Sequence, residues 1–364
     1  MPSRKKVVHI PLGSQHISLL EPIRFQFTTE NEKIVGVGAD VGFVHRGIEK
    51  ACSETFEWKK VGYVVARVCG LCAITHSLSY TLAVEKLLGY EANERIKYLR
   101  MLMVELDRIH SHMLCLAHVS ENAGFEAMFM QIMADRELVM DIQEAISGNR
   151  VQFDFIAIGG VNRDITPELV QLVHKNLDLL KPKIDDLMER FTNNWSLSLK
   201  YKGVGVLTYE EAYTYNALGP LARAAGLGTD VRAESSYFPY EEVGYEMVLE
   251  SSGDIYARNI VRLREIYNSI QMCKNIVDNL PTGEIIEKVK GKPDGEAIVR
   301  VEAPRGELFY LVRGSKKNFL DRVRIKTPTF SAIPAMMEVF KGSEYADAPA
   351  ILASFDPCMS CTAK

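Results

Sequence analysis

Seven cysteines occur in the chain, and four of them form two Cys-x-x-Cys units, Cys69-Gly70-Leu71-Cys72 and Cys358-Met359-Ser360-Cys361. In such a unit two sulfurs converge on one side of a turn. Each unit can therefore chelate a metal, and both together can offer four thiolates to a soft or borderline ion. A structural zinc site and a thioredoxin-like redox pair use the same spacing. Zinc ribbons bring their two pairs from knuckles about 15–20 residues apart, whereas almost the whole chain lies between these two. A redox Cys-x-x-Cys follows a strand in a βαβ unit, and neither unit does. The spacing favours metal binding over a redox disulfide and is unlike that of a zinc ribbon. Cys52, Cys115 and Cys273 remain as buried small apolar residues.

Sulfurs at opposite ends of a chain meet only if the elements between them fold back. Residues 7–10, 23–28 and 33–38 read as strands, the last two joined at Glu30-Asn31-Glu32 into a hairpin. Glycines at 36, 38, 42 and 47 then suggest an irregular loop ending in His45-Arg46-Gly47-Ile48-Glu49. From about residue 73 the apolar period becomes helical. Ile96, Leu99, Met103, Leu106, His110 and Met113 mark a long helix, 127–146 a second, and Thr166-Pro167 the capped start of a third, kinked or broken at Pro182. Residues 201–253 read as loops with short helices, and Ile260 to Leu280 as another long helix. Residues 296–303 and 308–312 read as strands, and 336–340 as a short helix. The expected class is mainly α with small β elements (α+β). It comprises a long-helix bundle, an N-terminal β hairpin and a small C-terminal β region, with the metal site between the chain's two ends. One domain is expected over 1–364, β-rich over 1–50, helical over 73–290, with β elements and the ligand-bearing tail over 295–364.

Composition excludes several classes. With 25% charged and 47% hydrophobic residues the chain has the profile of an ordinary globular protein. A net charge of -4, without a basic cluster, gives no reason to expect nucleic acid. No apolar run reaches the roughly 18–20 residues of a membrane helix; the best, 61–74, carries Arg67. The basic start, 1–6, precedes a stretch too short and polar for a signal peptide. A cytoplasmic protein that docks on a membrane partner is expected.

Arg67-Val68-Cys69-Gly70-Leu71-Cys72 followed by His76, together with Asp356-Pro357-Cys358-x-x-Cys361, resembles the paired signature of nickel–iron hydrogenase large subunits. The resemblance extends through Arg46-Gly47-Ile48-Glu49, Glu302-Ala303-Pro304-Arg305-Gly306 and Pro328-Thr329. It implies that Cys69 and Cys358 are terminal nickel ligands. Cys72 and Cys361 would bridge nickel to an iron that carries carbon monoxide and cyanide. Heterolytic cleavage of dihydrogen needs a metal that accepts hydride and a nearby base that accepts the proton.

The same resemblance implies roles for neighbours. His76 would hydrogen-bond a bridging sulfur; a core histidine is the plainer reading. Glu21 would be the proton-transfer carboxylate, against a plain loop glutamate. Glu49 would sit beside a magnesium or second iron and take part in proton movement, against an ion pair with Arg46 or Lys50. Pro304, Arg305 and Thr329 would surround the cyanide ligands, where the planar arginine fork suits anionic acceptors. The family commonly has His or Arg three residues after the last cysteine; here Lys364, a poorer metal ligand, stands there, which puts the extra metal in question. His110 and His112, with Arg108 and Arg136-Glu137, read as structural hydrogen-bonding groups, and 128–133 as methionine-rich core packing.

The run Glu105-Leu106-Asp107-Arg108-Ile109-His110-Ser111-His112 is similar to the quinone-module large subunit of respiratory complex I. The mixture resembles the membrane-bound, energy-converting hydrogenases. It implies reversible reduction of protons with electrons from reduced ferredoxin. The implied partners are a small iron–sulfur subunit, a ferredoxin-type electron-transfer subunit and integral membrane subunits that translocate ions. The location implied is the cytoplasmic face of the cell membrane. The rivals are a metal-free quinone-module subunit and a zinc-stabilised scaffold.

Overall fold

The structure is a computed structural model that describes residues 7–16, 19–151, 153–235 and 237–364; the basic start lies outside them. Strands β1 (Val7–Leu12), β2 (Arg24–Glu30) and β3 (Lys33–Asp40) form an antiparallel sheet in that order. Alternation along β2 turns Phe25 and Phe27 inward. Both meet the edge of Phe340, with centroids 5.6 and 5.1 Å away, which anchors the sheet on the C-terminal part of the chain. Asn31 makes the β2–β3 turn at φ 58, a left-handed conformation its side chain tolerates. Helices α1 (Ile48–Glu54) and α2 (Val61–Ala66) follow the irregular loop; neither is anticipated from the sequence.

The core is built from α3 (Ala73–Leu88), α4 (Glu94–Asn122), α5 (Glu126–Ser147) and α6 (Pro167–Asn193). Asn93 caps α4 by accepting from the Ile96 N–H. That helix is buried around nearly its whole circumference, with α3, α5 and later helices packed on it. Pro182 neither breaks nor ends α6. Pro182 and Asp178, whose carbonyl it leaves unbonded, both face solvent, while Leu180 and Ile184 hold the flanking turns in the core. The methionine-rich turn is only partly core: Met128 is buried, but Met130 is exposed.

The tiny hairpin β4 (Ile156–Ala157) and β5 (Gly160–Val161) precedes α6. Short helix α7 (Trp195–Tyr201) precedes the aperiodic middle, which α8 (Tyr209–Thr214), α9 (Pro220–Ala224) and α10 (Val231–Glu234) occupy as expected, and α11 (Ile255–Asp278) returns through the core. Strands β6 (Asp294–Ala303), β7 (Gly306–Ser315) and β8 (Arg322–Lys326) make a second antiparallel sheet, against which α3 lies. Helices α12 (Pro328–Phe340), α13 (Ala348–Phe355) and α14 (Met359–Thr362) close the chain. The expected α+β class holds. The expected short helix at 336–340 starts eight residues earlier, at Pro328, whose fixed φ suits the first helical position.

Candidate metal centre

The first Cys-x-x-Cys unit ends the segment between α2 and α3, and the second begins α14. Each folds into the turn its spacing predicts. Cys69 Sγ accepts from the Leu71 N–H at 3.2 Å, and Cys358 Sγ from the Cys361 N–H at 3.4 Å. The two turns face each other. Sγ–Sγ distances are 3.5 Å for Cys69–Cys358, 3.8 Å for Cys72–Cys361 and 3.1 Å for Cys358–Cys361. All four are free thiols no more than 4% exposed. A metal with tetrahedral sulfur ligands at about 2.3 Å sets its sulfurs about 3.8 Å apart, so this donor set fits a thiolate-bound metal. Among the described residues, Cys69, Cys72 and Cys361 are the group of His, Cys, Asp or Glu donors close enough to share an ion; Cys358 joins them through Cys69 and Cys361.

Without a cation such a cluster holds little negative charge. The Cys69 thiol is held well below its ordinary range because Cys358, Cys361 and Cys72 hydrogen-bond its sulfur. Cys361 is pushed well up, by its hydrogen bonds with Cys358, Cys69 and Cys72 and by burial. Four ionised thiolates would require a bound cation to balance them.

Arginines fix the two turns. Arg46 donates to the carbonyls of Arg67 (2.7 Å) and Val68 (2.9 Å) on one turn and of Ser360 (3.1 Å) on the other, so one guanidinium bridges both. Arg305 sits at the tip of the β6–β7 hairpin and points inward. Its Nε donates to the Asp356 carbonyl at 2.7 Å, Nη2 to Asp356 Oδ1 at 2.6 Å and Nη1 to Ser111 Oγ at 3.2 Å. Asp356 is itself left-handed, φ 52, at the end of α13. The hairpin tip is backed by Gly219, φ 62, where a Cβ would come within 2.5 Å of the Arg305 carbonyl oxygen.

The other candidates fall around this core. His76, in the first turn of α3, lies with Nε2 3.6 Å from Cys361 Sγ and Nδ1 2.7 Å from the Tyr310 hydroxyl. When that hydroxyl donates to Nδ1, the ring proton sits on Nε2 and points at the sulfur. Burial lowers the His76 pKa to about 4, so the ring is neutral. Alternation along β7 is what turns Tyr310 inward. Glu21 accepts from the Ser360 N–H at 2.9 Å and also from the Ser360 hydroxyl, so it lies against the second cysteine turn and is no free loop residue. Thr329 accepts from the Cys358 N–H at 3.2 Å, and Pro304 is buried beside Arg305.

Glu49 forms neither of the ion pairs expected for it. Its Oε1 accepts from the Ile325 N–H at 2.9 Å and its Oε2 from Arg324 at 3.1 Å, with Arg322 at 3.7 Å. Lys50 instead pairs with Glu54 at 3.6 Å.

The sequence did not single out Tyr310, Ser111 or Ser360. Nor did it mark Asp107, whose buried carboxyl is pushed well up by burial and by the negative Cys69 sulfur. Arg136 donates to His110 Nδ1 at 2.8 Å, so the other ring nitrogen, Nε2, carries the proton it donates to Asp107 at 3.0 Å. Farther along α4, His112 donates to Glu265 at 2.8 Å, and Arg223 joins Glu265 to Glu302. Cys52, Cys115 and Cys273 are buried away from the cluster, their thiols raised chiefly by burial.

A thiol cluster closed between distant parts of a helical chain is the arrangement the resemblance to hydrogenase large subunits implies, and known proteins place the chain among these subunits and their complex I relatives. The nickel-dependent hydrogenase family matches over residues 46–153, and the 49 Kd subunit of respiratory-chain NADH dehydrogenase over 122–292 and 286–364. The chain is 34% identical to the carbon monoxide-induced hydrogenase of Rhodospirillum rubrum, over 97% of this chain and 98% of that one. It is 35% identical to the membrane-bound hydrogenase subunit alpha of Pyrococcus furiosus, over 98% and 87%. Among solved structures it superimposes at TM-score 0.94 and 27% identity, over the full length of both chains, on the membrane-bound sulfane sulfur reductase, an archaeal respiratory membrane complex.

The chain belongs to the family of nickel–iron hydrogenase large subunits of the membrane-bound, complex I-related type. It is an oxidoreductase subunit of a membrane-associated complex. Among the described residues, no helix is long and apolar enough to cross a membrane.

Proposed function

We propose that this chain is the catalytic large subunit of a nickel–iron hydrogenase. It reversibly reduces protons to dihydrogen with electrons from reduced ferredoxin, passed through a small iron–sulfur subunit, and membrane subunits couple the reaction to ion translocation. One observation carries the reading: Cys69, Cys72, Cys358 and Cys361 converge as buried free thiols, with Sγ–Sγ distances of 3.5 Å for Cys69–Cys358, 3.1 Å for Cys358–Cys361 and 3.8 Å for Cys72–Cys361. Cys69, Cys72, Cys358 and Cys361 would hold the nickel–iron centre. A nickel–iron centre with carbon monoxide and cyanide supplies the two-electron chemistry when bound.

The protein's own groups supply the rest. Burial of the four sulfurs keeps bulk water out. Arg46 holds both cysteine turns at one separation, and Arg305 presents a fixed positive charge to the sulfurs. His76 aims its Nε2 at Cys361 and so moderates the basicity of that sulfur. Glu21 carries the proton on a carboxylate oxygen beside Ser360 and Cys358, next to a cavity of about 10 Å³ bordered by His118 and Asp356. That volume is about one water. The ferredoxin donor and the coupling to ion translocation are what the resemblance to energy-converting hydrogenases implies.

A metal-free quinone module shares the fold, and the paired cysteines are what speak against it. The infrared spectrum of the purified complex, with its nickel content, separates the readings. Sharp carbon monoxide and cyanide stretches with one nickel per large subunit are expected. Their absence from a fully active complex sinks the hydrogenase assignment. Glu21→Gln should retain those bands but lose most hydrogen–deuterium exchange; wild-type exchange would remove Glu21 from the proton path.

A further inference from the structure

The family resemblance implied a magnesium or second iron beside Glu49. An open space of about 510 Å³ does lie there, bordered by His45, Glu49, Arg322 and Lys364. Its chemistry is wrong for a divalent cation. Magnesium asks for an octahedron of oxygens at about 2.0–2.1 Å and is usually held through carboxylates. Both Glu49 oxygens are already engaged, Oε1 by the Ile325 N–H and Oε2 by Arg324 with Arg322 close behind, so its charge is balanced by guanidinium. Lys364 lies half-buried in the same space, within the field of Glu49 and Cys361. His45 spends Nδ1 on the Ala363 carbonyl at 3.1 Å. Among the described residues no group of three His, Cys, Asp or Glu donors gathers at Glu49. Two more carboxylates border the space, Glu54, which pairs with Lys50 at 3.6 Å, and Asp321, which accepts from Ser315 Oγ at 3.0 Å, but neither gathers with Glu49 into a donor group.

We infer that the Glu49 pocket takes no metal ion, and that Arg322 and Arg324 supply as fixed side-chain charge what a cation would supply there. The physical consequence is a metal-independent tie between β8 and α1. A guanidinium does this without exchange, because it stays charged at any working pH.

The test uses the intact complex, stripped of loosely held ions with EDTA, and titrates manganese(II) as the probe. The free ion is read from its room-temperature paramagnetic resonance, which makes the result independent of nickel content and of the hydrogenase reading. Bound manganese should be the same in wild type and Glu49→Gln, and the melting temperature of the large subunit should not move between EDTA and millimolar magnesium. Arg324→Met should lower that melting temperature in both solutions alike. One equivalent of manganese that wild type binds and Glu49→Gln loses would overturn the inference. So would a melting temperature that rises with magnesium in wild type.

Discussion

Replacement of Arg305 by methionine tests the most heavily used contact of the centre. The guanidinium is 6% and the Asp356 carboxylate 4% exposed. Methionine keeps much of the volume but removes one ion pair and three hydrogen bonds, and it leaves Asp356 buried without its cation. Removing one partner of a buried pair costs about 3–5 kcal/mol. The unfolding entropy is about 2.1 cal/mol/K per residue, or about 0.8 kcal/mol/K over 364 residues, so the large subunit should melt about 4–6 °C lower. The second substitution gives the sharper measurement. Asp356→Asn in the Arg305→Met background removes the stranded charge, so the double variant should melt higher than the sum of the single effects predicts. Differential scanning fluorimetry on the intact complex, with nickel content measured alongside, gives both numbers. A shift under 1 °C for Arg305→Met, or strict additivity in the double variant, would refute the argument that this pair holds the second cysteine turn.

Three further outcomes are expected. Arg100→Met should cost about 3–5 kcal/mol, because it strands Glu85 after removing contacts of 2.9 and 2.7 Å, whereas Arg100→Met with Glu85→Leu should recover most of the loss in a urea titration. Burial holds His112 neutral with a pKa of about 4. A histidine depressed in this way stabilises the fold fully above its unfolded value of about 6.5 and loses that contribution as pH falls toward 4. At pH 5 the loss is about 2 kcal/mol. His112→Gln, which can still donate to Glu265, should flatten that part of the acid profile in melting scans from pH 7 to 5; an unchanged slope would exclude His112 as its source. Tyr310→Phe leaves His76 Nδ1 buried without its 2.7 Å partner, at about 1–3 kcal/mol. It should also shift the infrared bands of the loaded centre, through a freed His76 ring; identical bands would separate Tyr310 from the sulfur environment.

The long helices were readable because burial of one stripe imposes a 3.6-residue period. The two cysteine turns were readable because the Cys-x-x-Cys spacing fixes each of them locally. Other parts depended on distant residues. Helices α1 and α2 are short, and their positions follow from contacts with β8 and α3 rather than from their own pattern. Tyr310 looks like any inward residue of a strand, and only the register of β7 against α3 makes it the partner of His76. The turn Pro304-Arg305-Gly306 carries no sign of function in its residue types, since its arginine matters through Asp356, which lies next to the second cysteine turn. Glu49 shows the opposite case. Its motif pointed to a metal, while the strand that supplies Arg322 and Arg324 lies far along the chain and commits the carboxylate elsewhere.

The ligand pairs Cys69–Cys358 and Cys72–Cys361 are each separated by 289 positions. Neither pair can form until the whole stretch between its two members has been synthesised. Once closed, a metal shared by both turns acts as a cross-link around a loop of that size. By the chain-entropy rule for cross-links, such a tie removes about 5–6 kcal/mol of freedom from the unfolded ensemble. A metal bound as proposed would thus be a staple for the whole subunit as well as its reactive group, and withholding it would withhold that lock on the fold.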